Sequence, residues 1–175
     1  MKRLVPPDPA WPELFEREAA RLAAAARGAL IRLHHIGSTS VPGLCAKNII
    51  DILGEAPSLA SVDYASGAFV ALGYEARGEY GIAGRRYFSR PPAAVAPGFH
   101  LHVFQMGSPE ITRHLALRDF VRRHGDARDG YAALKHSLSG ADGSLAPDYQ
   151  ERKAAFVAEL ELRALAHSIR AQERT

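Results

Sequence analysis

Two separated stretches of the sequence carry side chains that could bind phosphate or a metal ion. The first runs from the pair Gly37-Ser38 to Asp51, which lies inside the apolar run at residues 49–53. A carboxylate is costly to bury without a partner because it loses its hydration. An aspartate in such a run therefore indicates either chemistry or a strand end where backbone N–H groups satisfy it. We interpret Asp51 as a candidate catalytic residue.

The segment between Gly37 and Asp51 is suited to an anion. Glycine permits a close approach of the backbone, so Gly37 could let N–H groups reach a phosphate. Ser38 and Thr39 add hydroxyls, and Lys47 adds a point charge. A Gly-Ser pair alone is more often only a turn. Followed by an aspartate in an apolar run, it becomes a more specific signal for phosphate binding.

The second stretch contains two histidines, His100 and His102, which alternate with apolar residues. Successive side chains of a strand point to opposite faces, so both imidazoles should lie on one face. Such a pair can bind one metal ion, or one phosphate when protonated. The alternative is two half-exposed histidines on the solvent face of a sheet. The apolar flanks favour a pocket.

Three arginines could neutralise a bound anion. Arg85 and Arg86 should face opposite sides of one strand, so only one of them can face a shared cleft. Arg118 either reaches the same cleft or forms an ordinary surface pair with its neighbour Asp119, a contact worth under about 1 kcal/mol.

Two helical segments repeat a Tyr-x-x-x-Lys spacing, at Tyr131–Lys135 and at Tyr149–Lys153. Residues four apart share one face of a helix, so each pair places a hydroxyl beside an ammonium. Phosphate sites use that combination. The alternative is a packed tyrosine ring covered by a lysine stem, which we favour for Tyr149–Lys153.

Periodicity and turn residues predict a single α+β domain, with a mixed core at residues 1–107 and a helical part at residues 108–175. The predicted helices are 11–30, 59–72, 109–123, 126–138 and 147–171. The predicted strands are 31–36, 48–53, 74–77, 85–90 and 99–104, the last two forming a hairpin.

Composition excludes several classes of protein. A hydrophobic fraction of 47% and a charged fraction of 23% are ordinary for a soluble domain. The net charge of +3 is compatible with a small anionic ligand and argues against nucleic acid. The single cysteine, Cys45, excludes an internal disulfide and a thiolate metal site. With neither a signal-peptide pattern nor an apolar run of membrane length, we expect a cytoplasmic protein without membrane contact.

The order of these motifs resembles the GrpB family over nearly the whole chain, from about Val5 to Glu161. The segments that carry the resemblance are 35–44 with Lys47, 49–53, 81–88, 100–103, 113–119 and 131–135. The resemblance implies a nucleotidyltransferase-like fold of the polymerase β type, in which a mixed sheet packs against helices.

Such cores place a Gly-Ser turn before a strand that carries two aspartates one residue apart. In this comparison Asp51 occupies the first aspartate position and Leu53 the second. The two carboxylates of the superfamily hold the divalent ions that align a nucleoside triphosphate. Leucine cannot ligate a metal, so the resemblance implies a rearranged or inactive site.

Three functions follow from the resemblance. The first is a nucleotidyltransferase acting on a nucleoside triphosphate, with a divalent ion (Mg²⁺, Mn²⁺ or Zn²⁺) on Asp51, His100 and His102. The second is a non-catalytic module that binds a nucleotide or phosphorylated small molecule, since related domains are fused to dephospho-coenzyme A kinase. The third is a metal-dependent phosphoester hydrolase. The residues expected to bind phosphate or ligand are Gly37, Ser38, Thr39, Lys47, Arg85, Arg118, Tyr131 and Lys135.

Overall fold

The structure, a computed structural model, describes residues 3–94 and 96–172. It confirms the predicted α+β architecture. In chain order the elements are β1 (Leu4–Val5), α1 (Trp11–Ala26), β2 (Arg32–Ile36), a 3₁₀ turn (Ser38–Ser40), β3 (Ala46–Lys47), β4 (Ile49–Ala56), α2 (Leu59–Ala71), β5 (Glu75–Ala76), β6 (Arg85–Arg90), β7 (Gly98–Gln105), α3 (Pro109–Arg123), α4 (Gly125–Ser137) and α5 (Tyr149–Gln172).

A five-stranded mixed sheet with the order β2-β4-β7-β6-β5 forms the centre of the fold. The central pair, β4 and β7, is parallel, and every other pair is antiparallel. The predicted hairpin of β6 and β7 is therefore confirmed. Two two-residue strands, β1 and β3, pair separately. The sequence patterns missed them because two residues are too few to show an alternation.

The two faces of the sheet differ in chemistry because strand side chains alternate. Ile50 and Ile52 of β4, with Leu101 and Val103 of β7, are fully buried and belong to a core shared with α1 and α2. The intervening residues of the same strands face the other way. The in-register pairing of β4 with β7 places Asp51 beside His100 on that second face.

The C-terminal helices cover only part of the second face. Ile111 of α3 packs against Ile36, Leu53 and Phe104, which closes one end of that face with apolar contacts. A separate apolar cluster joins α3, α4 and α5 to Val41 and Leu44, just after the 3₁₀ turn. The helical part is thereby attached beside the turn, and a cleft remains between the turn, the sheet and the helices.

Two predicted boundaries were wrong for identifiable physical reasons. Helix α1 stops at Ala26, four residues before the predicted end, because Arg27 and Gly28 take left-handed conformations with φ of 46° and 89°. Strand β4 continues to Ala56, beyond the predicted end at residue 53. Gly54 lies inside it, where a Cβ atom would approach the Leu30 and Val103 side chains to 3.2 and 3.3 Å.

Helix α5 is the longest element, with 24 residues. Leu160 and Ala164 pack into the apolar cluster, whereas Leu162 and Ile169 are exposed. Charged residues interrupt its apolar positions throughout. The helices formed by residues 3–94 and 96–172 include no membrane-spanning candidate.

The tight packing around Gly54 gives a stability test. Gly54→Val should lower the free energy of unfolding by about 1–3 kcal/mol, because its side chain would overpack the contact between Leu30 and Val103. Gly67→Val on the exposed face of α2 is the matched control, since no atom lies within 4 Å of its Cβ position. Urea unfolding should show a shift within about 0.5 kcal/mol for the control. Equal effects of the two substitutions would contradict the packing argument.

Candidate metal and phosphate site

Asp51, His100 and His102 form a cluster on the second face of the sheet, in the part that the helices leave uncovered. Asp51 Oδ1 lies 3.2 Å from His100 Nδ1 and 3.6 Å from His102 Nε2, and the three donor atoms all lie within 4.8 Å of one another. Two ligand atoms that share an ion at about 2.1 Å are about 3.0–3.4 Å apart in octahedral or tetrahedral geometry. The spacing therefore suits a single divalent ion after small side-chain adjustments.

The cluster is partly shielded from solvent, with side-chain exposures of 29% for Asp51, 30% for His100 and 15% for His102. Burial by itself would raise the pKa of Asp51, but the neighbouring imidazoles of His100 and His102 outweigh burial. The pKa of that carboxyl is held well below its usual range. Asp51 is consequently an anion at neutral pH, as a metal ligand must be.

Gly37 lies directly against the Asp51 carboxylate. Its φ of +69° falls in the left-handed region, and a Cβ atom built there would sit 2.5 Å from Asp51 Oδ2. Only glycine satisfies both demands. The Ser40 hydroxyl donates to the Gly37 carbonyl at 2.6 Å and fixes the turn. The Gly-Ser turn and Asp51, predicted to act together, do meet in the structure.

Lys135 reaches the same turn from helix α4. Its Nζ donates to Ser38 Oγ at 2.6 Å and to the Cys45 carbonyl at 2.7 Å, and it lies 4.3 Å from the centre of the Tyr131 ring. The residue is 1% exposed. Burial lowers the pKa of the Lys135 ammonium to about 7, despite opposing contributions from Cys45 and Asp51. Lys135 therefore changes charge near neutral pH.

A second ammonium, that of Lys153 on α5, enters the cleft although sequence reasoning favoured packing for the Tyr149–Lys153 pair. Lys153 lines the cleft together with Ser38 and Asp51. The nearby Tyr131 raises the pKa of Lys153 against the opposing effect of burial. The signal that could have found Lys153 was the repeated Tyr-x-x-x-Lys spacing. Tyr149 is itself buried, and its ring lies 4.9 Å from the Lys47 ammonium.

Other sequence-predicted residues lie beside the cluster and contact protein groups. Thr39 is buried, with its hydroxyl 3.0 Å from His35 Nε2. Arg85 is buried behind His102, where its guanidinium donates to the Glu79 and Tyr80 carbonyls and lies 3.3 Å from His102 Nδ1. As predicted, Arg86 leaves on the opposite side.

Arg118 lines the cleft wall, where it donates to the Asp119 carboxylate at 2.7 Å and to the His35 carbonyl at 3.4 Å. Arg118 therefore shows both predicted features, since it borders the cleft and also forms an ion pair with Asp119. Its guanidinium is already held in place, so a ligand in the cleft would meet a fixed positive group.

The position that follows Asp51 on the same face belongs to Leu53, which is fully buried among Ile36, Phe104 and Ile111. That side of the face is sealed by α3, so a carboxylate there would be buried among hydrocarbon. In the part of the chain that the structure describes, the cluster combines the Asp51 carboxylate of β4 with the two imidazoles of β7.

Arg113, His114 and Glu161 also line the cleft and were not assigned to the site from sequence. Arg113 donates to Glu110 at 2.7 Å and forms a short ion pair with Glu161, which joins α3 to α5. His114 lies next to it, and burial lowers its pKa to about 4, so it is neutral at neutral pH. The Arg113–Glu161 pair spans 48 residues, and no local spacing signals it.

The cleft has two chambers that share Ser38, Asp51 and Lys153 as lining residues. We call the first, of about 160 Å³, the basic chamber, and the second, of about 230 Å³, the apolar chamber. The basic chamber is also lined by Lys47, His100, Lys135, Tyr149 and Gln150. The apolar chamber takes its name from the hydrocarbon side chains of Ile36, Val41, Leu44, Leu117, Val121 and Val157, and it is also lined by Gly37, His102, Arg113, His114, Arg118, Tyr131 and Glu161.

Comparison with known sequences identifies the relatives of the chain. The model of the family described as GrpB protein matches residues 2–163. The UPF0157 protein BH1888 of Halalkalibacterium halodurans is 37% identical over 90% of this chain and 79% of its own length. The UPF0157 protein YqkA of Bacillus subtilis is 42% identical over 74% of this chain. A dephospho-CoA kinase of Mycolicibacterium paratuberculosis is 32% identical over 82%. The chain spans only 37% of YqkA and 41% of the kinase.

Comparison with solved structures agrees with the architecture. The conserved protein GrpB from Enterococcus faecalis superposes with a TM-score of 0.85 at 36% identity, covering 94% of this chain and 98% of that one. Cid1, described as an RNA terminal uridylyl transferase, superposes with a TM-score of 0.54 at 15% identity, covering 89% and 47%. The likeness to Cid1 shows that the fold is nucleotidyltransferase-like.

The contact between Gly37 and Asp51 can be tested by substitution. Gly37→Ala should cost at least about 1 kcal/mol more unfolding free energy than Gly43→Ala, which has a φ of +78° but no atom within 4 Å of its Cβ position. Both variants place alanine at a positive φ, and Gly37 also has a ψ of −171°, a combination found almost only in glycine, so the contact with the carboxylate is isolated by the Asp51 background. In an Asp51→Ala background, the loss of unfolding free energy caused by Gly37→Ala should become smaller, because the carboxylate is gone. A double-mutant cycle measured by urea unfolding gives this difference. An unchanged loss would refute the contact.

Lys135 predicts a pH dependence of stability. An unfolded chain keeps this lysine protonated up to about pH 10.5, whereas the folded protein releases the proton near pH 7. The unfolded state then binds more protons between these values, so the contribution of Lys135 to stability rises with pH, by up to about 1.4 kcal/mol per unit. Urea unfolding from about pH 7.5 to 9.5 should show this rise relative to Lys135→Met. Parallel pH profiles would contradict the lowered pKa.

Proposed function

The chain belongs to the GrpB family, and we propose that it binds a nucleotide or another phosphorylated small molecule together with a divalent metal ion and transfers a nucleotidyl group. The observation that carries this proposal is the placement of the Asp51–His100–His102 cluster in the same cleft as Ser38, Lys135 and Lys153. Both sets of side chains line one cleft, in which His100 and Lys135 border the basic chamber, His102 borders the apolar chamber, and Asp51 and Lys153 border both.

The donor set fits a divalent transition metal. Two imidazoles and one carboxylate favour Zn²⁺ or Mn²⁺ over Mg²⁺, which prefers an oxygen-only shell. The tautomer of His102 sets a condition on binding. Ligation through Nε2 requires the proton on Nδ1, but the Arg85 guanidinium lies 3.3 Å from Nδ1 and favours an unprotonated nitrogen there. Arg85 would therefore have to move away from His102 when an ion binds.

The phosphate would lie where the hydrogen-bond donors converge. The Ser38 hydroxyl and the Lys135 and Lys153 ammoniums all border the basic chamber. An entering phosphate would exchange the Lys135 contact with Ser38 for a charge-assisted bond, and it would favour the protonated lysine. A divalent ion, when bound, would neutralise the phosphate oxygens and align the reacting phosphorus. Asp51 and the histidines hold the ion, and the lysines hold the remaining charge.

A second candidate is a binding module that performs no transfer. Leu53 favours it, because the residue seals the position where a second metal-binding carboxylate would stand. The similarity to a protein named dephospho-CoA kinase is compatible with an accessory role beside another catalytic domain. A third candidate, phosphoester hydrolysis, would use the same metal donors with water as the acceptor.

Thermal unfolding with Mn²⁺, Zn²⁺ or Mg²⁺, each with and without a nucleoside triphosphate, tests the metal assignment. An ion at 100 times its dissociation constant adds about 2.7 kcal/mol to stability, so Mn²⁺ or Zn²⁺ should raise the melting temperature. The double substitution His100→Ala/His102→Ala should abolish that rise. His136→Ala is the matched control, because this histidine is exposed on α4 outside the cleft.

The same samples separate the candidate functions. Pyrophosphate released together with a nucleotidylated product supports transfer, and its loss in Asp51→Asn assigns the activity to this cleft. A nucleotide that stabilises the protein equally without metal, with no turnover, supports the binding module. A metal response that survives the double histidine substitution would refute the proposed site.

A further inference from the structure

The two chambers of the cleft differ in the chemistry that they offer to a ligand. They meet at Ser38, Asp51 and Lys153, so a ligand bound at this junction can extend into both. What each chamber accepts can be derived from the charges and the hydrocarbon that line it.

The wall of the basic chamber carries more positive than negative side chains. Three lysines, Lys47, Lys135 and Lys153, border it together with one carboxylate, that of Asp51. Tyr149 and Gln150 add further polar groups to the wall. Its volume of about 160 Å³ is about that of five water molecules in the liquid. This chamber suits a phosphate group.

The apolar chamber has more hydrocarbon in its wall than the basic chamber has. Val41, Leu44 and Val121, each at most 4% exposed, form much of its wall. Its arginines already have acidic partners, because Arg113 pairs with Glu110 and Glu161, and Arg118 pairs with Asp119.

A second phosphate would gain little in the apolar chamber, whereas hydrocarbon would replace water at low cost. Its volume of about 230 Å³ is about that of eight water molecules in the liquid. The turn borders the chamber on one side, and helices α3 and α5 border it on the other. A space of this size holds a ring or a short aliphatic body.

We propose that this cleft recognises a phosphorylated small molecule with a compact apolar body, whose phosphate lies in the basic chamber and whose body fills the apolar chamber. The inference rests on the proposed function, because it takes phosphate binding as given and names the class of molecule that carries the phosphate. It also assigns Leu117 and Val157, the partly buried wall residues, as determinants of specificity.

Calorimetric titration with inorganic phosphate and with phenyl phosphate tests this assignment, in chelator and again with excess Mn²⁺. Burying the phenyl ring should make phenyl phosphate bind at least about tenfold more tightly than inorganic phosphate. Val157→Phe should remove this advantage and leave the affinity for inorganic phosphate unchanged, which also reports that the variant is folded. Val70→Phe, at an exposed position on α2, should leave both affinities unchanged. Leu117→Ala should enlarge the chamber and improve binding of 1-naphthyl phosphate.

The possible outcomes distinguish an error in the apolar chamber from an error in the phosphate site. Equal affinities for phosphate and phenyl phosphate would overturn the assignment of the apolar chamber and leave the proposed phosphate site intact. An advantage for phenyl phosphate that persists in Val157→Phe would also overturn it, as would 1-naphthyl phosphate binding no more tightly to Leu117→Ala than to the unsubstituted protein. Failure of both probes to bind under both conditions would overturn the inference together with the proposed function. Lys135→Met and Lys153→Met should weaken both probes alike.

Discussion

The site depends on how the Asp51 carboxylate is held between a glycine and two histidines. One of its oxygens faces the Gly37 backbone, where a Cβ atom would sit 2.5 Å away, and the other lies 3.2 Å from His100. The turn after β2 can approach the sheet this closely only without a side chain. This contact brings Ser38 beside the cluster, and the Ser38 hydroxyl therefore lines the same cleft as Asp51 and His100.

Positive charge from the helical part balances this carboxylate. Lys135 is anchored by Ser38 and by the Cys45 carbonyl, so it links α4 to the start of the turn and to the residue just before β3. Burial lowers its pKa to about 7, and a ligand phosphate would favour its protonated form. Leu53 completes the arrangement by packing under α3. The second face of the sheet is therefore part apolar and part polar, and the change occurs between Asp51 and Leu53, which are neighbours on this face of β4.

Much of this site could be predicted from sequence because its parts follow strand periodicity. The alternation around His100 and His102 and the position of Asp51 in an apolar run were sufficient to place them on sheet faces. The parallel register that joins those faces could not be derived, because it depends on long-range pairing. For the same reason the patterns did not reveal the Arg113–Glu161 pair, whose members are 48 residues apart.

If Asp51, His100 and His102 hold one divalent ion, as proposed, anomalous scattering from a crystal soaked in Mn²⁺ will locate it. One strong peak should lie about 2.0–2.3 Å from Asp51 Oδ1, His100 Nδ1 and His102 Nε2, with the Arg85 guanidinium displaced from His102. A crystal whose anomalous peaks all lie away from these three atoms, or in which no peak forms at saturating Mn²⁺, would contradict the proposal.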